Sequence, residues 1–470
     1  MLPPKQCASL HDGFSKSRTK ENMVDLKNTG QEVCVLGIWH LGAIYSGCLA
    51  NLGCSVVGVD PDHNKVEALN KGVPPLYEPG LEELLAKNIR EKRLRYTTDL
   101  KGALSKASYA LVTYDTPIND QDEVDLSEIF RLGYEFATCL CQDTTVIFSS
   151  QVPVGTCEKI ASTIKERNPS LRFGMAYIPE NLRLGQAIEC FLHPDMLVIG
   201  ADSAATMESV ERLFQPIKAP RVKVNLRTAE MTKHAINTYL ATCISYINEI
   251  ANVCDEVSAD AMKVAEALRL DSRVSPKAPL FPGLGFAGGT LARDLKVLLH
   301  LGEVHDCSTP LVRAVLNVNE QQKGIVIRKL RKIYGSLKGL EVGVLGLTYK
   351  PGTSTLRRSA SVEIIRALEV EEAKVKVYDP KADAEDLKHY GIFDRCPTPY
   401  AAAEGSQALV LITPWPDFKE LDFPRLRSLM QKPLLLDVQN MLDADKMEET
   451  GFLYIGIGRG MQLSPFDVAK

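Results

Sequence analysis

Residues 32–60 read EVCVLGIWHLGAIYSGCLANLGCSVVGVD, and this run decides the fold. An apolar strand leads into Gly37, a helical stretch follows, and a second apolar strand ends on Asp60. The acid lies 23 positions beyond Gly37. That is close to the ~20-residue interval at which a βαβ unit offers a carboxylate to a dinucleotide ribose. Gly37 suits the tight turn and Gly42 suits close helix–strand packing, but the middle glycine of G-x-G-x-x-G is replaced by Trp39. That glycine lets the backbone approach a pyrophosphate. An indole in its place either fills the dinucleotide's space or tilts aside and leaves it accessible.

Strand and helix patterns alternate beyond Asp60, which argues for a parallel sheet covered on both faces. A second strand–glycine–helix–strand unit runs from Gly339 to Asp379. Between the two units, residues 229–257 carry apolar side chains at three- and four-residue spacing with neither glycine nor proline, the pattern of a long buried helix. The fold class expected is α/β, with two Rossmann-like doubly wound domains joined by a long central helix.

The chain has 470 residues, 45% of them hydrophobic and 24% charged, with a formal net charge of −4. The length asks for more than one core. The charge balance gives no reason to expect nucleic acid or a membrane surface as a partner. No apolar run reaches the ~18–20 residues of a membrane span. Twelve cysteines are scattered without a C-x-x-C pair or a histidine cluster, so no metal site is expected, and free thiols in a reducing cytoplasm are. Residues 1–30 are polar and aperiodic and read as a flexible tail.

Two further features carry chemistry. Residues 281–295, FPGLGFAGGTLARDL, form a glycine-dense loop followed by Arg293 and Asp294. Glycine at this density lets backbone N–H groups come close to a phosphate or a sugar. Lys233 and Asn237 stand four apart on the central helix, so they share one face and want a polar partner there.

Several segments together resemble the nucleotide-sugar 6-dehydrogenases, the UDP-glucose/GDP-mannose dehydrogenase family. They are NKGVPPLYEPGL (70–81), ALVTYDTPIND (110–120), TVIFSSQVPVGT (145–156), IPENLRLG (178–185), LDSRVSPK (270–277), the loop at 281–295, and GLEVGVLGLTYKPGTSTLRRSA (339–360). The likeness runs from about Glu32 to about Gly460 and is closest to the UDP-glucose members. It implies NAD as cofactor, a UDP-hexose such as UDP-glucose as substrate, and a homodimer. The domains implied are an NAD-type domain at 31–225, a central region at 226–335 with the substrate loop and dimer contacts, and a UDP-sugar-binding domain at 336–470.

By the same resemblance the cofactor would meet Gly37, Ile38, Trp39, Leu41, Gly42, Asp60 and Lys65 from the first βαβ unit, and Thr116, Pro117 and Gln151 from two later loops. Substrate contacts fall on Glu180, Leu182 and Arg183, on Lys233 and Asn237, and on Lys277, Phe281, Gly285, Phe286 and Gly289. Lys350 and Arg357 are the basic pair for a diphosphate, and Arg273 would reach the substrate of a neighbouring subunit. The catalytic set is Lys233, Asn237, Asp294, Glu180 and Thr290. Lys233 and Asn237 would donate to the C6 oxygen, and Asp294 would accept a proton directly or through a water.

The departures from the family pattern are grouped. Thr290 replaces the nucleophilic cysteine, Gln151 an active-site threonine, and Leu184 the second acid, linked to a water near the substrate. Gln439 stands for an arginine, and Ser354 and Thr355 for an acidic pair. A thiol ionises near neutral pH and leaves well from an acyl carbon; a threonine hydroxyl does neither without an adjacent base. Three readings follow: an NAD-linked oxidoreductase without the thioester route, a nucleotide-sugar-binding pseudoenzyme, or an enzyme of different chemistry on a related nucleotide.

Overall fold

The strand β1 (Glu32–Leu36) sends Val33 and Val35 into one apolar core and Cys34 and Leu36 into another, so both faces of its sheet are covered. The structure, a computed structural model, describes residues 31–116, 125–287, 289–392 and 395–460. The tail at 1–30 and Pro117 lie outside the described residues. The chain divides into two units, with the boundary between Glu230 and Met231.

In the first unit β1 is followed by β2 (Ser55–Val59), β3 (Leu94–Thr97), β4 (Tyr109–Val112), β5 (Thr144–Phe148), β6 (Phe173–Tyr177), β7 (Leu197–Ala201) and β8 (Arg221–Val224). They form one sheet in the order β3-β2-β1-β4-β5-β6-β7-β8. Its first six positions follow the doubly wound dinucleotide-binding order, with the switch point between β1 and β4. The wholly parallel sheet expected from the strand–helix alternation fails at one join, because β6 and β7 pair antiparallel. The connection between them holds only the short helix Ala187–Leu192, not a full crossover helix. The first helix, His40–Asn51, is buried from Gly42 through Ala50. A Cβ added at Gly42 would stand 2.0 Å from the Gly37 carbonyl oxygen, so this glycine is required by packing whatever binds nearby.

In the second unit β9 (Glu341–Leu345), β10 (Lys374–Tyr378), β11 (Ala408–Leu411), β12 (Leu434–Asp437) and β13 (Leu453–Ile455) pair parallel in the order β10-β9-β11-β12-β13. The strand β11 turns Ala408 and Val410 to one core and Leu409 and Leu411 to the other. The switch point lies between β9 and β11.

The central helix, Leu226–Val257, has 32 residues and joins the two units. At 1.5 Å per residue it is about 48 Å long. In the second unit it is accompanied by the loop helix, Thr290–Val304, and by helices Pro310–Lys323 and Ile325–Tyr334. Among the described residues no helix is long and apolar enough to cross a membrane.

Candidate active site

In the first unit the candidate residues gather at the carboxyl ends of the strands around the switch point. Gly37 turns the chain with φ +86, and a Cβ there would meet Tyr114 backbone atoms at 2.9 Å. Asp60 closes β2 and is buried. Its carboxylate accepts from Ile38 N at 3.3 Å and Asp62 N at 3.1 Å, and pairs with Lys65 Nζ, 3.1 Å from each oxygen. Ile38 is buried and Leu41 half-buried beside it. Trp39, by contrast, is 42% exposed, and its backbone (φ −69, ψ −157) is one that any L-residue adopts. A residue other than glycine therefore sits at position 39 without backbone strain. These residues fit a dinucleotide at its ribose end through Asp60 and Lys65, and at its pyrophosphate end provided that the indole stays in solvent.

The neighbouring loops are fixed by side chains. Thr116 Oγ1 donates to the Gln151 carbonyl at 2.9 Å, tying the loop after β4 to the loop after β5. The latter loop is held from below by Glu230, which accepts from Gly155 N at 2.6 Å and Cys157 N at 2.9 Å at the start of helix Thr156–Arg167. Burial pushes the Glu230 carboxyl above the usual range, and the two N–H donors pull it back. Glu180 accepts from Leu182 N, and Arg183 and Leu184 are exposed. The buried Glu78 accepts from Gly185 N at 2.9 Å and Ala187 N at 2.7 Å, and lies 3.1 Å from His40 Nε2.

In the second unit the loop of residues 281–287 is held by buried carboxamides. Gly283 N donates to Asn248 Oδ1 at 2.8 Å, and the Gly283 carbonyl accepts from Gln322 Nε2 at 2.7 Å. Phe286 N donates to Asn319 Oδ1 at 2.8 Å, and the Phe286 carbonyl accepts from Asn319 Nδ2 at 3.1 Å. The Pro282 carbonyl accepts from Asn440 Nδ2 at 3.2 Å. Gly285, at φ +88, would place a Cβ 2.3 Å from Asn319 Oδ1, so no larger residue fits there. None of these carboxamides was among the predicted site residues. Only Asn248 carries a sequence signal, as one of the polar residues Asn237, Ser245, Asn248, Asn252 and Asp255 at helical spacing on the long central helix.

Gly289 caps the loop helix, and Thr290 is its exposed first residue. One turn on, Asp294 is fully buried. Its Oδ1 lies 2.7 Å from His234 Nδ1, and its Oδ2 accepts from Asn237 Nδ2. Asn237 and Asp294 are thus bonded to each other, and His234, which motif reading passed over, joins them. Lys233, the neighbour of His234 on the central helix, is also buried.

A cavity of about 520 Å³ opens at the carboxyl ends of β9, β11 and β12. Gly285, Phe286 and Lys350 line it, together with Thr348, Ser361 and Thr413. Lys323 also lines it, paired with Glu320 at 2.9 Å and Glu363 at 3.0 Å. Ser359, the N-cap of helix Ala360–Val370, places that helix's N-terminus at the cavity, a position suited to an anion. Arg358 lines the cavity, whereas the predicted Arg357 is exposed outside it. Gln439 is on the wall and donates to the Ile412 carbonyl at 2.9 Å. Of the predicted residues, Gly285, Phe286 and Lys350 line the cavity, and Lys233, Asn237, Gly289, Thr290 and Asp294 are not in its lining, nor are Arg273, Lys277 and Phe281. Arg273 is exposed and pairs with Asp271 at 2.7 Å, Lys277 is exposed, and Phe281 lies under Arg269 at 4.8 Å. Among the described residues no cluster of three metal-ligating side chains occurs.

Three family domains match the chain. The UDP-glucose/GDP-mannose dehydrogenase family NAD binding domain matches residues 31–218, its central domain residues 227–321, and its UDP binding domain residues 343–444. The chain is 37% identical over 435 residues to a UDP-glucose 6-dehydrogenase of Rhizobium meliloti (strain 1021), covering 91% of this chain and 99% of the relative. It is 35% identical over 431 residues to UDP-glucose 6-dehydrogenase TuaD of Bacillus subtilis (strain 168), covering 91% and 93%. Among solved structures, a UDP-glucose dehydrogenase from the archaeon Pyrobaculum islandicum superposes with a TM-score of 0.83 at 30% identity, covering 93% of this chain and all of that one. The UDP-D-ManNAc dehydrogenase of Pyrococcus horikoshii gives 0.80 at 25% identity, covering 91% and 99%.

Proposed function

Because the chain belongs to the UDP-glucose/GDP-mannose dehydrogenase family, we propose that it oxidises C6 of a UDP-hexose, UDP-glucose first among them, with NAD and without a thioester intermediate. The observation that carries this reading is the loop helix itself. It keeps Asp294 buried on Asn237, but it begins with a hydroxyl where the family uses a thiol. Bound NAD supplies a hydride acceptor. The chain's own residues supply the rest. Lys233 and Asn237 donate to the C6 oxygen as its charge grows, Asp294 takes the hydroxyl proton, and Glu180 helps hold the sugar. Lys350 and the start of helix Ala360–Val370 take the diphosphate. Thr290 hydroxyl neither ionises at neutral pH nor leaves readily from an acyl carbon, so oxidation stops at the aldehyde. One NADH per UDP-glucose consumed is therefore expected, with a product that hydroxylamine traps as an oxime. Two NADH and a uronic acid would overturn the proposal.

The second reading, a nucleotide-sugar-binding protein without turnover, is favoured by Trp39 at the pyrophosphate turn. The exposure of the indole supports retained but weakened binding instead. Trp39→Gly is expected to tighten NAD by about tenfold, roughly 1.4 kcal/mol, in a fluorescence or calorimetric titration. A wild-type protein with no saturable response at millimolar NAD would favour the second reading.

The working unit proposed is a homodimer. Tyr239, Tyr246, Val253 and Val257 are exposed on the central helix at spacings of seven, seven and four, an apolar stripe of the kind that an isologous helix contact buries.

A further inference from the structure

We infer that Glu230 is a positioning residue of the dinucleotide site: from the central helix its carboxyl group caps helix Thr156–Arg167, and so fixes the loop after β5 at the switch-point crevice. Glu230 has no exposed surface. Helix Thr156–Arg167 begins after Gly155, which sits at φ +90 and has no side chain with which to cap it. The first N–H groups of a helix find no acceptor within that helix. Here the acceptors come from a residue 73 and 75 positions away. Glu230 Oε2 accepts from Gly155 N at 2.6 Å, and Oε1 accepts from Cys157 N at 2.9 Å. An acidic group at this end also suits the helix dipole. The Cys157 thiol lies against the same group, and burial first, then Glu230, pushes that thiol well above the usual range.

A chain of contacts carries this hold to the turn where a pyrophosphate would lie. A Cβ at Gly37 would stand 2.9 Å from Tyr114 backbone atoms, so the loop after β4 runs directly against the glycine turn. Two residues on, Thr116 Oγ1 donates to the Gln151 carbonyl at 2.9 Å. Gln151 and Gly155 belong to one short loop between β5 and helix Thr156–Arg167, and Gly155 is bonded to Glu230. Open α/β sheets bind their ligands outside the carboxyl ends of the strands at the switch point, here between β1 and β4. The glycine turn and both loops stand at those ends. One turn before Glu230 on the central helix, Arg227 pairs with Glu158 at 2.7 Å, but that pair is at the surface and holds weakly. Without Glu230 two N–H groups lose their acceptors and the loop loses its buried anchor. Part of the binding free energy of the dinucleotide then goes into ordering the loop, and affinity falls.

The cofactor arm of the test rests on NAD as proposed above; the exchange arm does not. In the full-length wild type the amides of Gly155 and Cys157 are expected to exchange with heavy water at least about tenfold more slowly than the same amides in Glu230→Ala. Glu230→Ala is also expected to raise the Kd for NAD by about tenfold in a calorimetric titration. UDP, a probe of the UDP binding domain, should bind it within about threefold of wild type. Glu230→Gln fills the space but offers one acceptor, so it should lose protection at one of the two amides and fall between the other proteins in NAD affinity. The inference is overturned if Glu230→Ala binds NAD as the wild type does, if its two amides exchange no faster, or if its UDP affinity falls as far as its NAD affinity. Should Glu230→Ala fail to fold, Glu230→Gln decides: weakened NAD binding with unchanged UDP binding supports the inference, and unchanged NAD binding overturns it. Should the wild type bind no NAD at millimolar concentration, the proposed function falls, and the exchange of the two amides still decides whether Glu230 fixes the loop.

Discussion

Asp294→Ala is expected to lower turnover by at least about 10³-fold and to destabilise the second unit by about 3–5 kcal/mol. Both effects come from the same two bonds. Removing the carboxylate takes the Oδ1 contact from His234 Nδ1 and the acceptor from the Asn237 amide, both buried. Each such lost contact costs ~1–3 kcal/mol, and the vacated volume adds a cavity term. Asp294→Asn separates the contributions. It fills the space and restores one acceptor, but it turns a second donor toward donors, so an intermediate stability is expected with activity as low as that of the alanine variant. Urea unfolding followed by circular dichroism gives the stabilities, and NADH formation gives the rates. If Asp294→Ala unfolds at the wild-type midpoint, the buried cluster is not assembled as described.

How much of this was legible in the sequence depends on how local each signal is. The βαβ unit of residues 32–60 declares itself because a turn glycine, an apolar helix and a terminal acid all lie within one short window. The antiparallel join of β6 and β7 does not, since only the shortness of helix Ala187–Leu192 separates it from a crossover. Lys233 and Asn237 can be placed on one face by counting residues. The contact of His234 with Asp294 cannot, because a histidine on an apolar helix is as often a core residue as a functional one, and Asp294 is 60 residues away. The carboxamides that hold the loop fail for the same reason. Asn319 and Asn440 act on Phe286 and Pro282 across separations of 33 and 158 residues, and nothing in their own surroundings marks them. The cavity likewise takes Arg358 over its neighbour Arg357 through the local turn, where Arg358 adopts φ +59. Spacing alone chooses poorly between adjacent arginines.

Thr290→Cys is expected not to restore a uronic-acid-forming enzyme but to convert the protein into one that acylates itself. Position 290 opens a 15-residue helix, where unpaired N–H groups and the helix dipole favour a thiolate. The introduced thiol is exposed on the face that carries Asp294 one turn on, and it should capture the aldehyde as a thiohemiacetal. Loss of a second hydride from that adduct then gives a thioester. Hydrolysis is the step left unserved. Leu184 is an exposed hydrocarbon that cannot activate a water, and Gln151 donates no hydroxyl proton. NADH should therefore appear as a burst of two per subunit and then stop, leaving an acyl adduct that mass spectrometry detects and hydroxylamine releases. Adding Leu184→Glu should restore steady turnover at two NADH per UDP-glucose. Steady formation of one NADH by Thr290→Cys would mean that the thiol does not reach C6. Steady formation of two by the single variant would mean that residues other than those at 151 and 184 activate the hydrolytic water.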